Sequence, residues 1–131
     1  MIFVDTSGWF ASTVAEDIHH ERATAWWRQN TQGLLTTDHV VDETLTLLKA
    51  RDQLPVALSL GQRLFEGQIA RLYHVTEADL QEGWRAVRRY ADKDWSFTDC
   101  TSKIVMDKLG LTQAFAFDQH FQQFGSVTIV P

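Results

Sequence analysis

The sequence predicts an α/β protein, a three-layer α/β/α sandwich around a mostly parallel sheet of four or five strands. Three observations lead there. Short apolar, strand-like runs alternate with longer segments of helical period along the 131 residues, which favours parallel strands joined by helices. Two prolines and seven glycines leave few breaks, so helix should be abundant. Two of the apolar runs, "MIFVD" and "AFAFD", end in an aspartate. Open parallel sheets place their ligand crevice at the carboxyl ends of strands.

Met1–Asp5 reads as the first strand, followed by the turn and cap formers Thr6, Ser7 and Gly8. Ser7–Ala11 starts a short helix. His19–Asn30 is a second, with Ala23, Trp26 and Trp27 on its apolar side, and Gly33 is expected to break it. Leu34–Thr37 is the next strand. Residues 38–51 form a helix whose inner face is Val40, Val41, Thr44, Leu45, Leu47 and Leu48. Pro55 suits the first turn of another helix, running to about Glu66 with Leu60, Leu64 and Phe65 inward and Gly67 ending it. Arg71–Val75 is the third strand. Thr76 and Asp79 have capping-box spacing for a helix to about Ala91, with Leu80, Trp84, Val87 and Ala91 as its inner stripe. Ser96–Thr98 opens the last helix, which ends near Gly110. Ala114–Phe117 and Val127–Val130 are the final strands.

The length suits a single domain over residues 1–131. No apolar run is long enough for a transmembrane helix, and no basic-then-apolar signal peptide stands at the start. A lone cysteine, Cys100, forms no internal disulfide and suits a reducing cytoplasm. The net charge of -5 argues against a protein held to nucleic acid mainly by basic surface. It is compatible with acids that recruit cations.

Four acids stand out. Asp5 and Asp118 follow strands that would open into one crevice. Asp99 lies in the first turn of a helix, and Glu43 shares a helix face with Val40, Thr44 and Leu47. Each has a plain structural reading: Asp5 and Asp118 as N-caps, Asp99 as the acid of a capping box with Ser96, Glu43 as the partner of an arginine such as Arg51. Together they suggest a shared site. Carboxylates ~4 Å apart repel by about 4 kcal/mol at an effective dielectric of ~20. Such a group binds protons or cations, and oxygen-only ligands favour Mg2+ or Mn2+ over zinc. Those ions serve phosphodiester hydrolysis. No Gly-rich phosphate loop is present.

The segments "FVDTSGWFA", "VVDETLTLL", "WSFTDCTS" and "AFAFDQHF" resemble, in order and along essentially the whole chain, the PIN-domain proteins. Within that family they resemble the VapC-type ribonuclease toxins of toxin–antitoxin pairs. The resemblance implies a PIN-like fold and endoribonuclease activity with Mg2+ or Mn2+. It implies metal binding and catalysis by Asp5, Glu43, Asp99 and Asp118, with Ser7 supporting the site. It also implies an RNA substrate, a small cognate antitoxin and a homodimer. One position departs from the pattern: many relatives carry Thr or Ser two residues before the fourth acid, where this chain has Ala116.

Outside the motifs, Arg85, Arg89 and Lys93 recur every four residues beside Arg88, and Lys103 lies one turn after Asp99. They offer an RNA backbone rail, or else a solvated helix face. Trp26, Trp27 and Trp84 read as core, while Trp9 and Trp95 flank the acids and offer stacking surfaces. The histidines lack zinc spacing, and His120, two residues after Asp118, reads as a surface residue or else a substrate contact. Cys100 reads as a small buried residue. Two rival readings are a non-catalytic protein- or RNA-binding module on the same fold, and a haloacid-dehalogenase-type phosphatase. The latter wants a second Asp where Ser7 stands.

Overall fold

The computed structural model describes residues 1–131. Five strands form one all-parallel sheet: β1 (Ile2–Val4), β2 (Leu34–Thr37), β3 (Arg71–Tyr73), β4 (Gln113–Phe115) and β5 (Thr128–Val130), in the order β3-β2-β1-β4-β5. Helices α1 (Thr6–Thr13) and α2 (His20–Gln29) join β1 to β2. Helices α3 (Asp38–Ala50) and α4 (Leu54–Phe65) join β2 to β3, and α5 (Glu77–Arg89) and α6 (Phe97–Leu109) join β3 to β4. A short 3-10 helix, Gln119–Phe124, precedes β5.

The pleat explains why the sheet is covered on both sides. Val4 and Phe115 are in-register partners, as are Phe3 and Ala114, so the two pairs face opposite ways. Phe115 stacks on Trp26 of α2 at 4.3 Å, and Phe3 stacks on Phe121 of the 3-10 helix at 6.1 Å. Ile2, Phe3 and Val4 are all buried, as a central parallel strand requires.

The chain leaves β1 towards β2 and β3, then returns to lay β4 on the other side of β1. The crossover direction therefore reverses between β1 and β4. That is the switch point at which open parallel sheets hold their ligands, and Asp5 and Asp118 follow these two strands.

Several sequence expectations need correction. Strand β3 ends at Tyr73, because the Val75 N–H is taken by Asp38 Oδ1. Helix α2 ends at Gln29, within one residue of the expected Asn30, which caps it in place of Gly33. Phe65 points to solvent. The 3-10 helix was not expected, although Phe121 and Phe124 stand at its three-residue period and both are buried. Trp9 is a core residue that donates from Nε1 to Thr36 Oγ1 at 3.2 Å, not a stacking surface beside the acids.

The inner face of α5 is Asp79, Gly83 and Ala86, while Trp84 and Ala91 are exposed. Two contacts turn the helix that way. A Cβ on Gly83 would lie 2.7 Å from Thr101 Cγ2 of α6, an approach that only glycine permits. The buried Asp79 accepts from Tyr73 Oη at 2.7 Å and pairs with Lys108 at 3.1 Å, and it closes the capping box with Thr76. Burial alone would raise the Asp79 carboxyl; the Thr76 N–H, the Tyr73 hydroxyl and Lys108 outweigh it and hold it at about 2. Asp79→Ala should therefore lower stability by about 2 kcal/mol. A depressed carboxyl contributes fully above its ordinary value and loses its contribution as pH falls through about 2. Urea unfolding at several pH values should show variant and wild type converging at the acid end.

Candidate active site

Asp5 is the N-cap of α1. Its Oδ2 accepts from Ser7 N at 3.2 Å and Ser7 Oγ at 2.9 Å. Ser7 Oγ in turn accepts from Phe117 N at 2.9 Å and Asp118 N at 3.3 Å. One hydroxyl thus ties the end of β1 to the backbone after β4. Ala116 has no side chain to make such a link, and Ser7 makes one from the first turn of α1.

Asp99 closes a capping box with Ser96 at the start of α6. Asp118 caps the 3-10 helix through His120 N at 2.9 Å. The capping readings of Asp5, Asp99 and Asp118 are therefore correct. Asp5, Glu43, Asp99 and Asp118 line a single pocket of about 370 Å³, with Ser7, Asp94, Ser96 and His120 among its other walls. Glu43 reaches it from the half-buried side of α3 and pairs with no arginine.

Of these wall residues Asp94 was not identified from the sequence, and the link of His120 to two acids was not foreseen. His120 Nδ1 lies 2.9 Å from Asp99 Oδ2 and 3.4 Å from Asp118 Oδ1. With a carboxylate oxygen on each side, Nδ1 is placed to donate to Asp99, with Asp118 close by. The one available signal was its position two residues after a capping aspartate. Asp94 lies in the exposed loop before α6 and had no signal of its own.

The predicted cations are not in this pocket. Lys103 pairs with Asp107 at 2.9 Å and lies 5.8 Å from the Phe124 ring. Arg85 pairs with Glu82 and lines a separate groove with Trp84 and Arg88. Arg89 lies against Tyr90. Trp95 packs on Phe124 and donates to Gln123 Oε1. Cys100 is buried, and burial followed by the nearby Asp99 charge raises its thiol, so it is no ready nucleophile.

The electrostatics ask for a cation. Asp5 is only 3% exposed, and its Oδ1 is buried without any hydrogen-bond partner. Burial first, and then the Asp99 charge, raise its carboxyl to about 7. An unpartnered buried carboxylate oxygen facing other carboxylates fits a hard cation. As they stand, no three His, Cys, Asp or Glu side chains are close enough together to hold a metal ion. Mg2+ takes only one or two carboxylates directly and keeps several waters.

A pH dependence follows. With Asp5 at about 7 folded against 3.8 ordinarily, the native state holds the extra proton between those values. In chelator, stability should fall as pH rises across that window, by at most ~1.4 kcal/mol per pH unit from this group. Denaturant unfolding at pH 4 to 8 would reveal it, and Asp5→Asn should flatten the slope.

The PIN domain profile matches residues 2–127. The chain is 40% identical over 133 aligned positions to the 23S rRNA-specific endonuclease VapC20 of Mycobacterium tuberculosis, covering 100% of this chain and 99% of that protein. It is 30% identical over 122 positions to a VapC ribonuclease of Archaeoglobus fulgidus, covering 90% of this chain and 77% of that one. The crystal structure of M. tuberculosis VapC20, a sarcin–ricin loop cleaving toxin, superposes with a TM-score of 0.93 at 34% identity over 100% of both chains. FitAcB from Neisseria gonorrhoeae shares the fold, with a TM-score of 0.70 at 15% identity, over 100% of this chain and 97% of that one. The ordered acids, the parallel sheet and these full-length matches agree: the chain belongs to the PIN domain family, on its VapC branch.

Proposed function

We propose that this chain is an endoribonuclease of the VapC toxin type, hydrolysing RNA phosphodiester bonds with Mg2+ or Mn2+. The observation that carries the reading is the convergence of four carboxylates at the β1/β4 switch point, one of them with a buried, unpartnered oxygen. Full-length likeness to a 23S rRNA-specific endonuclease supports ribosomal RNA, and its sarcin–ricin loop in particular, as the substrate.

In this reading Asp5, Glu43 and Asp99 would hold the ion, which would supply positive charge against the scissile phosphate and make a water a better nucleophile. Asp5 would serve as a ligand in its deprotonated form. Ser7 keeps Asp5 and the Asp118 backbone in register. His120 holds the Asp99 and Asp118 carboxylates at a set separation, and Asp118 orients the attacking water.

All of residues 1–131 act as one nuclease domain in the cytoplasm. A small cognate antitoxin and a second copy of the chain are the protein partners. Leu54, Leu58 and Phe65 on α4 and Trp84 on α5 are exposed and offer separate apolar surfaces for them.

The test is cleavage of purified 23S rRNA by antitoxin-free protein, with Mn2+ or Mg2+ and with EDTA, the ends mapped by primer extension. Discrete metal-dependent ends that vanish with Asp99→Asn are expected. Equal cleavage in EDTA overturns the metal reading. No cleavage by folded protein overturns the nuclease reading in favour of a binding module.

A further inference from the structure

An RNA strand crossing a cleft of four carboxylates needs a cation close by to hold its neighbouring phosphates. None of the twelve Lys and Arg side chains lines the acidic pocket. Lys103, Lys108, Arg85 and Lys93 are in ion pairs with Asp107, Asp79, Glu82 and Asp92.

Asp118, however, borders two pockets. One is the acidic site. The other is a cleft of about 170 Å³ on its far side, walled by His19, Arg22, Phe117, Gln122 and Pro131 among others. Arg22 is the one cation among these walls that is charged at every pH of interest. It pairs with no Asp or Glu: its guanidinium lies 5.6 Å from the Phe117 ring centroid and donates a long 3.4 Å bond to the main-chain oxygen of Pro131, the last residue of the chain. His19 stacks on the same ring at 4.7 Å and 12°. Phe117 directly precedes Asp118, and its N–H is held by Ser7. The contact that fixes the fourth acid therefore also fixes where Arg22 stands.

Resting on the nuclease reading, we propose that the His19–Arg22–Phe117 cleft is a substrate subsite that holds the RNA phosphate next to the scissile one. Arg22 takes that phosphate, and the His19 ring offers a surface to the adjoining sugar or base. A cleft of about 170 Å³ has room for a phosphodiester unit. A planar guanidinium unpaired with any Asp or Glu suits phosphate oxygens. Arg22 is thus a positioning residue: it sets how the strand lies over the acids and takes no part in bond breaking.

The test compares wild type, Arg22→Ala, Arg22→Lys and, as a remote control, Arg63→Ala in Mn2+-dependent cleavage of 23S rRNA. Binding of a short fluorescein-labelled single-stranded RNA in EDTA is measured alongside. Arg22→Ala should raise KM about tenfold with kcat within about twofold, the pattern of lost uniform binding. It should also reduce the slope of log KM against log salt by about one. Arg22→Lys should recover most of the loss, and Arg63→Ala should match wild type. A wild-type KM and salt slope for Arg22→Ala, with cleavage intact, overturn the subsite and leave the nuclease standing. A wild type that neither cuts nor binds RNA overturns the nuclease reading, and the subsite falls with it.

Discussion

Asp5→Asn should abolish RNA cleavage and at the same time make the chelator-treated protein more stable at pH 8. The two effects have one cause. The Asp5 carboxylate is 3% exposed, with Oδ1 unpartnered, and burial and Asp99 together raise its carboxyl to about 7. At pH 8 it is charged, and the fold bears the cost of an uncompensated buried charge. Asparagine removes the charge, still accepts from Ser7, and is an equally good N-cap. The stabilisation should be about 2 kcal/mol in EDTA and should shrink towards pH 4. Cleavage should fall by ~10³-fold, the several kcal/mol that a correctly held ion contributes to the transition state. A variant that cleaves at the wild-type rate would remove Asp5 from the site. A variant that cleaves poorly but is less stable at pH 8 would mean that Ser7's bonds to the carboxylate outweigh the burial cost.

The second large effect is expected at a residue with no functional group. A Cβ on Gly8 would lie 2.4 Å from the Phe115 carbonyl oxygen and 2.6 Å from Phe115 Cδ1. That carbonyl accepts the Asp5 N–H at 3.2 Å, so it is fixed in the frame and cannot turn aside. Gly8→Ala must therefore push α1 away from β4. The strain should cost about 3 kcal/mol, or roughly 10 °C in melting temperature. The push acts on the helix turn that carries Asp5 and Ser7, so kcat should fall at least tenfold even in the folded fraction. Gly83→Ala makes a useful contrast. Its clash at 2.7 Å is with a side-chain methyl of Thr101 and not with backbone, and it lies away from the acids, so it should cost stability while cleavage by the folded fraction persists. A Gly8→Ala protein that melts within a degree or two of wild type, with full activity, would show that α1 and β4 separate easily.

These predictions rest on features that were unequally visible in the chain. The acids at the ends of "MIFVD" and "AFAFD" were legible because both signals are local: a short apolar run and a cap-forming aspartate. The two capping boxes, Thr76 with Asp79 and Ser96 with Asp99, were legible for the same reason and are both present. The inward face of α5 was not. Counting large apolar residues points to Trp84, but the helix packs through Gly83 and Ala86 because small residues let it approach α6. The role of His120 was hidden as well, since its two acid partners lie on different elements.

The sequence by itself determined the alternation of strands and helices, the parallel architecture and the order of the four acids. Period, capping and turn chemistry act over a few residues, and each survives being read one segment at a time. Only the tertiary structure decided which of these groups share a site. It brought His120 and Asp94 to the acids, moved Lys103 and Arg85 into ion pairs of their own, and placed Arg22 beside Asp118 across nearly the full length of the chain. Those outcomes depend on close packing between elements distant in sequence, on how near a glycine lets two backbones approach and on which partner a charge finds first. No local pattern encodes them.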